Sequence, residues 1–524
     1  MGMPLDSTQR SWSAWAASLA AAVPLLMMAT ISAGADPHGG QPPGFHPFPL
    51  PTEVNVFPTL DRRLVGAEIA VNPTNPHNIV LADVEDDGYT RACAAVPDPP
   101  CVLEPTPFGP QPFGYFNDEP AFSTKGVFTS FDGGLTWKRV DISATYPAGQ
   151  PYLNAKNEGG LGVTADGTFY IQFNILNWGT PENFAPTAGV GFSKSTDGGL
   201  TWSEPVLAGT PSDFPLMTVD QSTGTVYSLT GLPFTPLGPR STGNPNSPIL
   251  TPFGDAFVAA SRDGVHWTQP QRTGGTDGVN QFSGANGKAV AAAHGVVATI
   301  HVETTDAACA FFVGGTAPCV VFQTSRDAGA TWSRHRVPVP VSTQVLAATQ
   351  VLVAANPALD APRFNAAGNF AVAVLDAANN QWLVFHTRNS GDTWHGPTEL
   401  TALNPWNGWM SYSPKGVLGL VWRSSELAPF PALSPYNIWA AISFDDGENF
   451  GGPLEFSPGS PAALSPPSAF SGGNIFQDLS AIALDDKEQR VYVGWGDWRT
   501  GERNVIFGTA PYRAFFKGPW PFGP

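Results

Sequence analysis

Past residue 51 the apolar positions fall in short runs of about four to six residues, separated by Gly, Pro, Asn and Asp. Runs of that length predict β-strands joined by turns rather than helices. The first unit reads Glu68–Val71 and Asn78–Asp83, joined by the turn Asn72–Pro76, and then Gly126–Ser130. The second has Gly160–Val163, Thr168–Phe173 and Gly189–Phe192; the third has Pro215–Val219, Thr225–Leu229 and Ala256–Ala259. The fourth offers Lys288–Ala291, Val296–His301 and Cys319–Gln323, and the fifth Pro362–Asn365, Asn369–Val374 and Trp382–His386. Trp409–Tyr412, Val417–Trp422 and Asn437–Ala441 make the sixth. A seventh set, Leu479–Ala483, Val491–Trp495 and Asn504–Phe507, has no clear fourth strand after it, while a spare run, Glu53–Phe57, precedes the first unit.

Each of the first six sets leads into the same polar segment, followed by a further strand. Ser130-Phe-Asp132-Gly133-Gly134-Leu-Thr136-Trp137 returns at Asp197, in shortened form at Asp263, at Asp327, as an Asn variant at Asn389 and in degenerate form at Asp445. Successive Asp or Asn positions are 65, 66, 64, 62 and 56 residues apart, so one structural unit is repeated. The chemistry suits a hairpin turn: Ser and Asp side chains accept from backbone N–H groups, Gly permits positive φ, and the closing Trp packs between neighbouring sheets.

The pattern S-x-D-x-G-x-T-W resembles the Asp-box (BNR) repeat of the sialidase superfamily, over roughly residues 52–515. The resemblance implies an all-β fold, a β-propeller whose blades are four-stranded antiparallel sheets, with Asp-boxes in six of them. Seven blades fit the count of strand sets if Val54–Phe57 closes the ring by pairing with the last one, which removes exposed edges. Six blades, the number in familiar catalytic sialidases, is the alternative.

The chain has 524 residues, 42% hydrophobic and only 13% charged, with 56 Gly and 53 Pro, as many short strands and turns require. Lys+Arg 26 against Asp+Glu 43 gives 26 − 43 = −17, which argues against a nucleic-acid or anionic-membrane partner. Trp12–Ala33 is apolar and ends in Ala33-Gly34-Ala35, so residues 1–35 read as a secretory signal, with an uncleaved anchor as the alternative. A Pro/Gly-rich linker at 36–51, one propeller domain at 52–515 and a tail at 516–524 complete the organisation. The expected location is extracellular or periplasmic, and the expected state a monomer. Cys93 with Cys101 and Cys309 with Cys319 form two close pairs, each able to staple a loop in an oxidising compartment, with free buried thiols as the alternative.

In a propeller the repeat turns cap one face, and the loops entering the first strand or leaving the second gather on the other. Those loops carry the candidate chemistry. Asp86 and Asp87 follow the second strand of the first unit, Glu303 that of the fourth, and Asp376, Arg423 and Asp497-Trp498-Arg499 those of the fifth to seventh; Arg363 enters the fifth first strand. Arginines hold a carboxylate bidentately, and paired carboxyls serve as acid and nucleophile or base. In sialidases three arginines bind the substrate carboxylate, an Asp is general acid/base, and a Tyr assisted by a Glu is the nucleophile.

Carried onto this chain, the resemblance makes Asp87 or Asp86 the general acid, with Glu303 and Tyr436 as further catalytic candidates and Tyr492 an alternative tyrosine. Arg63 (or Arg62), Arg363, Arg423 and Arg499 become the substrate-binding arginines, although the F/Y-R-I-P sequence around the family's first arginine is missing. Trp178, Trp498, Trp406 and Trp409 fall in expected loops or strand ends where a ring can stack on a sugar. Local explanations stand beside these: Arg499 can pair with Asp497 across a turn, Glu85–Asp87 can be a solvated loop or bind calcium, and His301 with Glu303 can fill a blade interior. No motif calls for a metal or other cofactor. The functions left open are a secreted exo-glycosidase cleaving terminal acidic sugars such as sialic acid, a non-catalytic glycan- or protein-binding propeller, and a polysaccharide lyase on the same scaffold.

Overall fold

The computed structural model describes residues 52–56, 63–65, 68–82, 85–87, 103–106, 109–112, 124–143, 153–156, 160–177, 189–208, 215–231, 256–273, 289–302, 320–340, 343, 351–358, 367–424, 436–457, 480–497 and 504–516. Residues 1–51, where a signal and a linker are expected, the four cysteines and the residues beyond Phe516 lie outside them.

Seven antiparallel sheets form a β-propeller. Blade 1 runs Glu68–Val71, Ile79–Ala82, Thr124–Ser130 and Lys138–Ser143. In blade 2 the first position is shared by Leu153–Lys156 and Leu161–Val163, both paired with Phe169–Asn177, and Gly189–Ser195 and Val206–Ala208 follow. Blade 3 is Leu216–Asp220, Thr225–Gly231, Ala256–Ser261 and Gln271–Arg272; blade 4 is Val290–Ala293, Val296–Val302, Val320–Ser325 and Ser333–Arg336. Blade 5 is Val351–Ala355, Phe370–Asp376, Gln381–Thr387 and His395–Thr401, and blade 6 is Pro405–Tyr412, Leu418–Ser424, Asn437–Ser443 and Gly451–Glu455. Ser480–Asp485, Arg490–Asp497 and Asn504–Pro511 make three strands of blade 7, and Thr52–Asn55 supplies the fourth.

That last pairing closes the ring as the spare run predicts. Thr52 lies opposite Thr509 and Asn55 opposite Ile506, and Val56 N–H donates to Val505 O at 3.0 Å. The blade 5 first strand differs from expectation: it is Val351–Ala355 rather than Pro362–Asn365. Val-Leu-Val-Ala-Ala is almost wholly buried, as a strand walled in by its neighbours must be, whereas Pro362–Asn365 falls outside the described residues. First strands of successive blades touch around the axis, and the last returns to Glu68–Val71. They enclose a central cavity of about 260 Å³ whose wall includes Ala70, Gly162, Ala291, Ala354, Trp409 and Ala481. No helix among the described residues is long and apolar enough to cross a membrane.

The repeated polar segment folds as a side-chain-braced turn. Ser130 Oγ donates to Asp132 Oδ1 at 2.8 Å and accepts from Gly134 N–H at 2.9 Å. Asp132 Oδ1 also accepts from Leu135 and Thr136 N–H, and its Oδ2 takes the Thr136 hydroxyl. The same scheme recurs at Asp197, Asp327 and Asp445, with Asn449 in place of the Thr at the last. Asn389 keeps it with an amide, donating from Nδ2 to Thr393 Oγ1 at 2.9 Å, and at Asp263 the ring of His266 stands in for the Thr hydroxyl. The residue after the Asp or Asn has positive φ even where it is not glycine: 58° at Ala328, 59° at Ser390 and 61° at Asp446.

Each turn reaches the preceding blade. Trp137 packs edge-on to Phe507 of blade 7, Trp267 against Phe192 of blade 2, and Trp394 edge-on to Phe322 of blade 4. Polar ties follow the same path on this face. Asn78 Nδ2 donates to Gly198 O, Lys194 Nζ to Asp263 O, and Arg326 Nη2 to Ser390 Oγ. Asp220 accepts from Gly295 N–H, Asn356 Nδ2 donates to Asp446 Oδ1, Lys415 N–H donates to Asp486 Oδ2, and Lys487 Nζ reaches Pro73 O. Every neighbouring pair of blades is therefore tied on the turn face. The opposite ends of the strands form the other face, the loop face.

Candidate functional site

On the loop face Arg63, Asp86, Asp87, Arg423 and Tyr436 gather on either side of blade 7. One group lies at the seam between blades 6 and 7. Arg423 stands near the end of Leu418–Ser424, where alternation points it to the same side as Val421, while Leu420 and Trp422 join the cluster facing blade 5. It is fully buried. Its Nε donates to Ser480 Oγ of blade 7 at 3.2 Å. Its Cζ lies 4.4 Å from the ring centroid of Tyr436 and 5.3 Å from that of Trp406, and those two rings meet edge-to-face.

Tyr436 is also fully buried, and its hydroxyl donates to Gly496 O in blade 7 at 2.7 Å. Close by in sequence, Trp495 Nε1 donates to Asp497 Oδ2 at 3.0 Å. A guanidinium pinned by a hydroxyl and two aromatic faces is a cation of fixed plane, the geometry that carboxylate recognition uses.

The second group precedes and follows the first hairpin of blade 1. Arg63–Val65 pairs with Glu85–Asp87, with Arg63 opposite Asp87 and Leu64 opposite Asp86. The strand carrying Arg63 also contacts Arg490–Asp497 and Asn504–Pro511 of blade 7. Backbone topology thus brings Arg63, Asp86 and Asp87 together at one side of blade 7, and Arg423 and Tyr436 meet at the other.

The remaining candidates divide. Glu303, Arg363, Arg499, Trp178 and Trp498 lie outside the described residues. Trp406 and Trp409, expected at loops or strand ends, sit within the first strand of blade 6 and are buried there. Asp376 caps its own hairpin, accepting from Asn379 Nδ2 at 2.7 Å. His301 is buried in the second strand of blade 4, and Tyr492 is buried in blade 7, where burial pushes its phenol well above the usual range. Asp132, Asp197, Asp263, Asp327, Asn389 and Asp445 all lie in the opposite, turn face. Among the described residues no group of three or more His, Cys, Asp or Glu is placed to hold a metal ion.

Sequence reasoning missed Ser480 and Asn407. Ser480 becomes an arginine partner only through the packing of two blades, a contact with no local signal. Asn407-Gly408 did carry one, since that dipeptide favours positive φ, but it lies in a run that otherwise reads as strand.

No protein-family model and no curated protein matches the chain. Solved structures do resemble it. A protein of unknown function from Dyadobacter fermentans is 14% identical, covering 87% of this chain and 97% of its own, with a TM-score of 0.40. The sialidase of Trypanosoma rangeli bound to the inhibitor DANA is 11% identical over 86% of this chain, with a TM-score of 0.37, and the match spans 55% of that protein. An α-L-arabinofuranosidase from Fusarium graminearum, bound to an iminosugar inhibitor, is 13% identical over 76% of this chain and 98% of its own, with a TM-score of 0.41.

Proposed function

We propose that this chain is a secreted, glycan-acting propeller whose loop face recognises an acidic sugar, with exo-glycosidase cleavage of a terminal residue such as sialic acid as its reaction. The observation that carries this is topological: Arg63 opposite Asp87 and Arg423 against Tyr436 flank the same blade on the same face. Arg423 supplies a fixed cation for a carboxylate, and Asp87 or Asp86 the proton for a departing glycosidic oxygen. The Tyr436 hydroxyl, donating to Gly496 O, turns an oxygen lone pair rather than its proton toward anything else that approaches.

A second reading is favoured by the complete burial of Arg423. There the arginine is a tie between blades 6 and 7, and the loop face binds glycan or protein without catalysis. Hydrolysis of a fluorogenic sialoside by the purified mature chain separates the two, with Arg423→Ala and Asp87→Ala alongside. Turnover abolished in both folded variants supports the glycosidase. A folded wild-type protein that retains immobilised glycans without turnover supports the binding propeller, and one that does neither removes the acidic-sugar reading.

A further inference from the structure

The first strand of blade 6 breaks its own alternation. Trp406 lies opposite Arg423 and Trp409 opposite Val421, so Asn407 and Gly408 together face the single residue between those partners. Strict alternation would send Trp406 and Trp409 to opposite sides of the sheet. The extra residue returns Trp409 to the side of Trp406, and both join the cluster containing Tyr436 and Val421, while Met410 joins Trp382 and Trp422 on the blade 5 side.

The backbone is shaped for this. Asn407 is buried with φ of 54°, in the left-handed region that Asn and Gly enter most readily. At Gly408 a Cβ would lie 2.7 Å from the Trp382 ring, so only glycine allows the approach. Bulges of this kind re-aim side chains, and strained backbone at a buried position marks a place where geometry is imposed. Here the re-aimed side chains are Trp406, against the Arg423 guanidinium, and Trp409, in the wall of the central cavity.

We propose that the Asn407-Gly408 bulge is the positioning element of the loop-face cation, holding Trp406 against Arg423 so that the guanidinium plane is preset for the carboxylate of an acidic sugar. The ligand rests on the acidic-sugar reading; the positioning role adds to it. Two rings and the Ser480 hydroxyl leave the guanidinium little freedom to lose on binding, which is how preorganisation raises affinity. Asn407 acts through Trp406 and Arg423, not on the ligand.

The test compares wild type with Asn407→Gly, Asn407→Ala and Trp406→Leu. N-acetylneuraminic acid is the calorimetric probe, and the Arg423 Nε–H resonance of the ligand-free protein, assigned by its loss in Arg423→Lys, is the second readout. Asn407→Gly, which keeps the left-handed backbone, is expected to bind within twofold of wild type with the resonance unmoved. Asn407→Ala and Trp406→Leu are expected to weaken binding about tenfold and to shift the resonance as the ring current of Trp406 is lost. If Asn407→Ala does not fold, the contrast between Asn407→Gly and Trp406→Leu decides. An Arg423 resonance unmoved in Trp406→Leu, or moved as far in Asn407→Gly as in Trp406→Leu, would overturn the positioning role. No binding by wild type would overturn the acidic-sugar ligand, leaving the resonance to judge the bulge separately.

Discussion

The hydroxyl of Tyr436 donates to the carbonyl of Gly496 at 2.7 Å, binding the entry of one strand in blade 6 to the loop-face end of another in blade 7. Tyr436→Phe strands that buried carbonyl without its donor and is expected to cost about 1–2 kcal/mol. Chemical denaturation would show it as a lower midpoint at unchanged slope, and an unchanged midpoint would mean that the carbonyl finds another partner.

Two glycines separate conformational strain from collision. Gly134 has φ of 94°, and a Cβ there would collide with the Phe507 ring, which Trp137 and Tyr492 hold in place. Gly224 has φ of 71° and nothing within 4 Å of an added Cβ. Gly224→Ala should cost about 1 kcal/mol, from backbone strain alone. Gly134→Ala should cost about 3 kcal/mol or more, because the ring must move as well. Equal losses in the two variants would refute the collision.

The braced turns make stability depend on acid. Burial pushes the Asp132 carboxyl up, but hydrogen bonds from Thr136, Ser130 and Leu135 outweigh it and hold the group at about 2, below its usual 3.8. The Thr331 hydroxyl and N–H, with Ser325, hold Asp327 at about 2 as well. A carboxyl whose pKa falls on folding adds stability above its unfolded value, and that stability drains away as pH drops from about 4 toward 2. Asp132→Asn should therefore melt below wild type at pH 7, with the gap closing by about pH 2. A gap that persists at the acid end would assign the effect to hydrogen-bond geometry instead of charge. Asn389 shows that an amide can occupy the position.

Removing Thr52–Val56 takes away four paired positions and the buried Val56 side chain, leaving Asn504–Pro511 as an open edge. A loss of about 3–5 kcal/mol is expected, together with concentration-dependent association through that edge. Thermal melts with light scattering would check both, and a truncated chain that melts like the full one would mean that blade 7 is complete with three strands.

How much of this the chain discloses depends on how local the cause is. The turn at Asp132 is written in eight consecutive residues, because Ser130, Asp132 and Thr136 bond to one another and to backbone within that span. The closing strand was readable as a leftover run facing a set that lacked its fourth member. The first strand of blade 5 is poorly legible, since Val351–Ala355 has no turn residue before it to mark its start and Pro362–Asn365 mimics one. The seam around Arg423 was readable only as separate residues. Its order comes from Ser480 and Gly496, which lie in another blade, and from a one-residue slip at Asn407 whose Asn-Gly signal is hidden inside a run that otherwise reads as strand.

Because blade 7 is assembled from both ends of the sequence, it is a feature of timing as well as of shape. The partner of Thr52 is Thr509, so the ribosome must add 509 − 52 = 457 residues before the first strand has anything to pair with. At usual synthesis rates that is a wait on the order of 20–90 s. Throughout it, six blades can fold while the ring stays an open arc with a bare edge at its start. Ring closure is therefore the last event that synthesis permits, since Thr52–Asn55 gains its partner only when Ile506–Thr509 has been made.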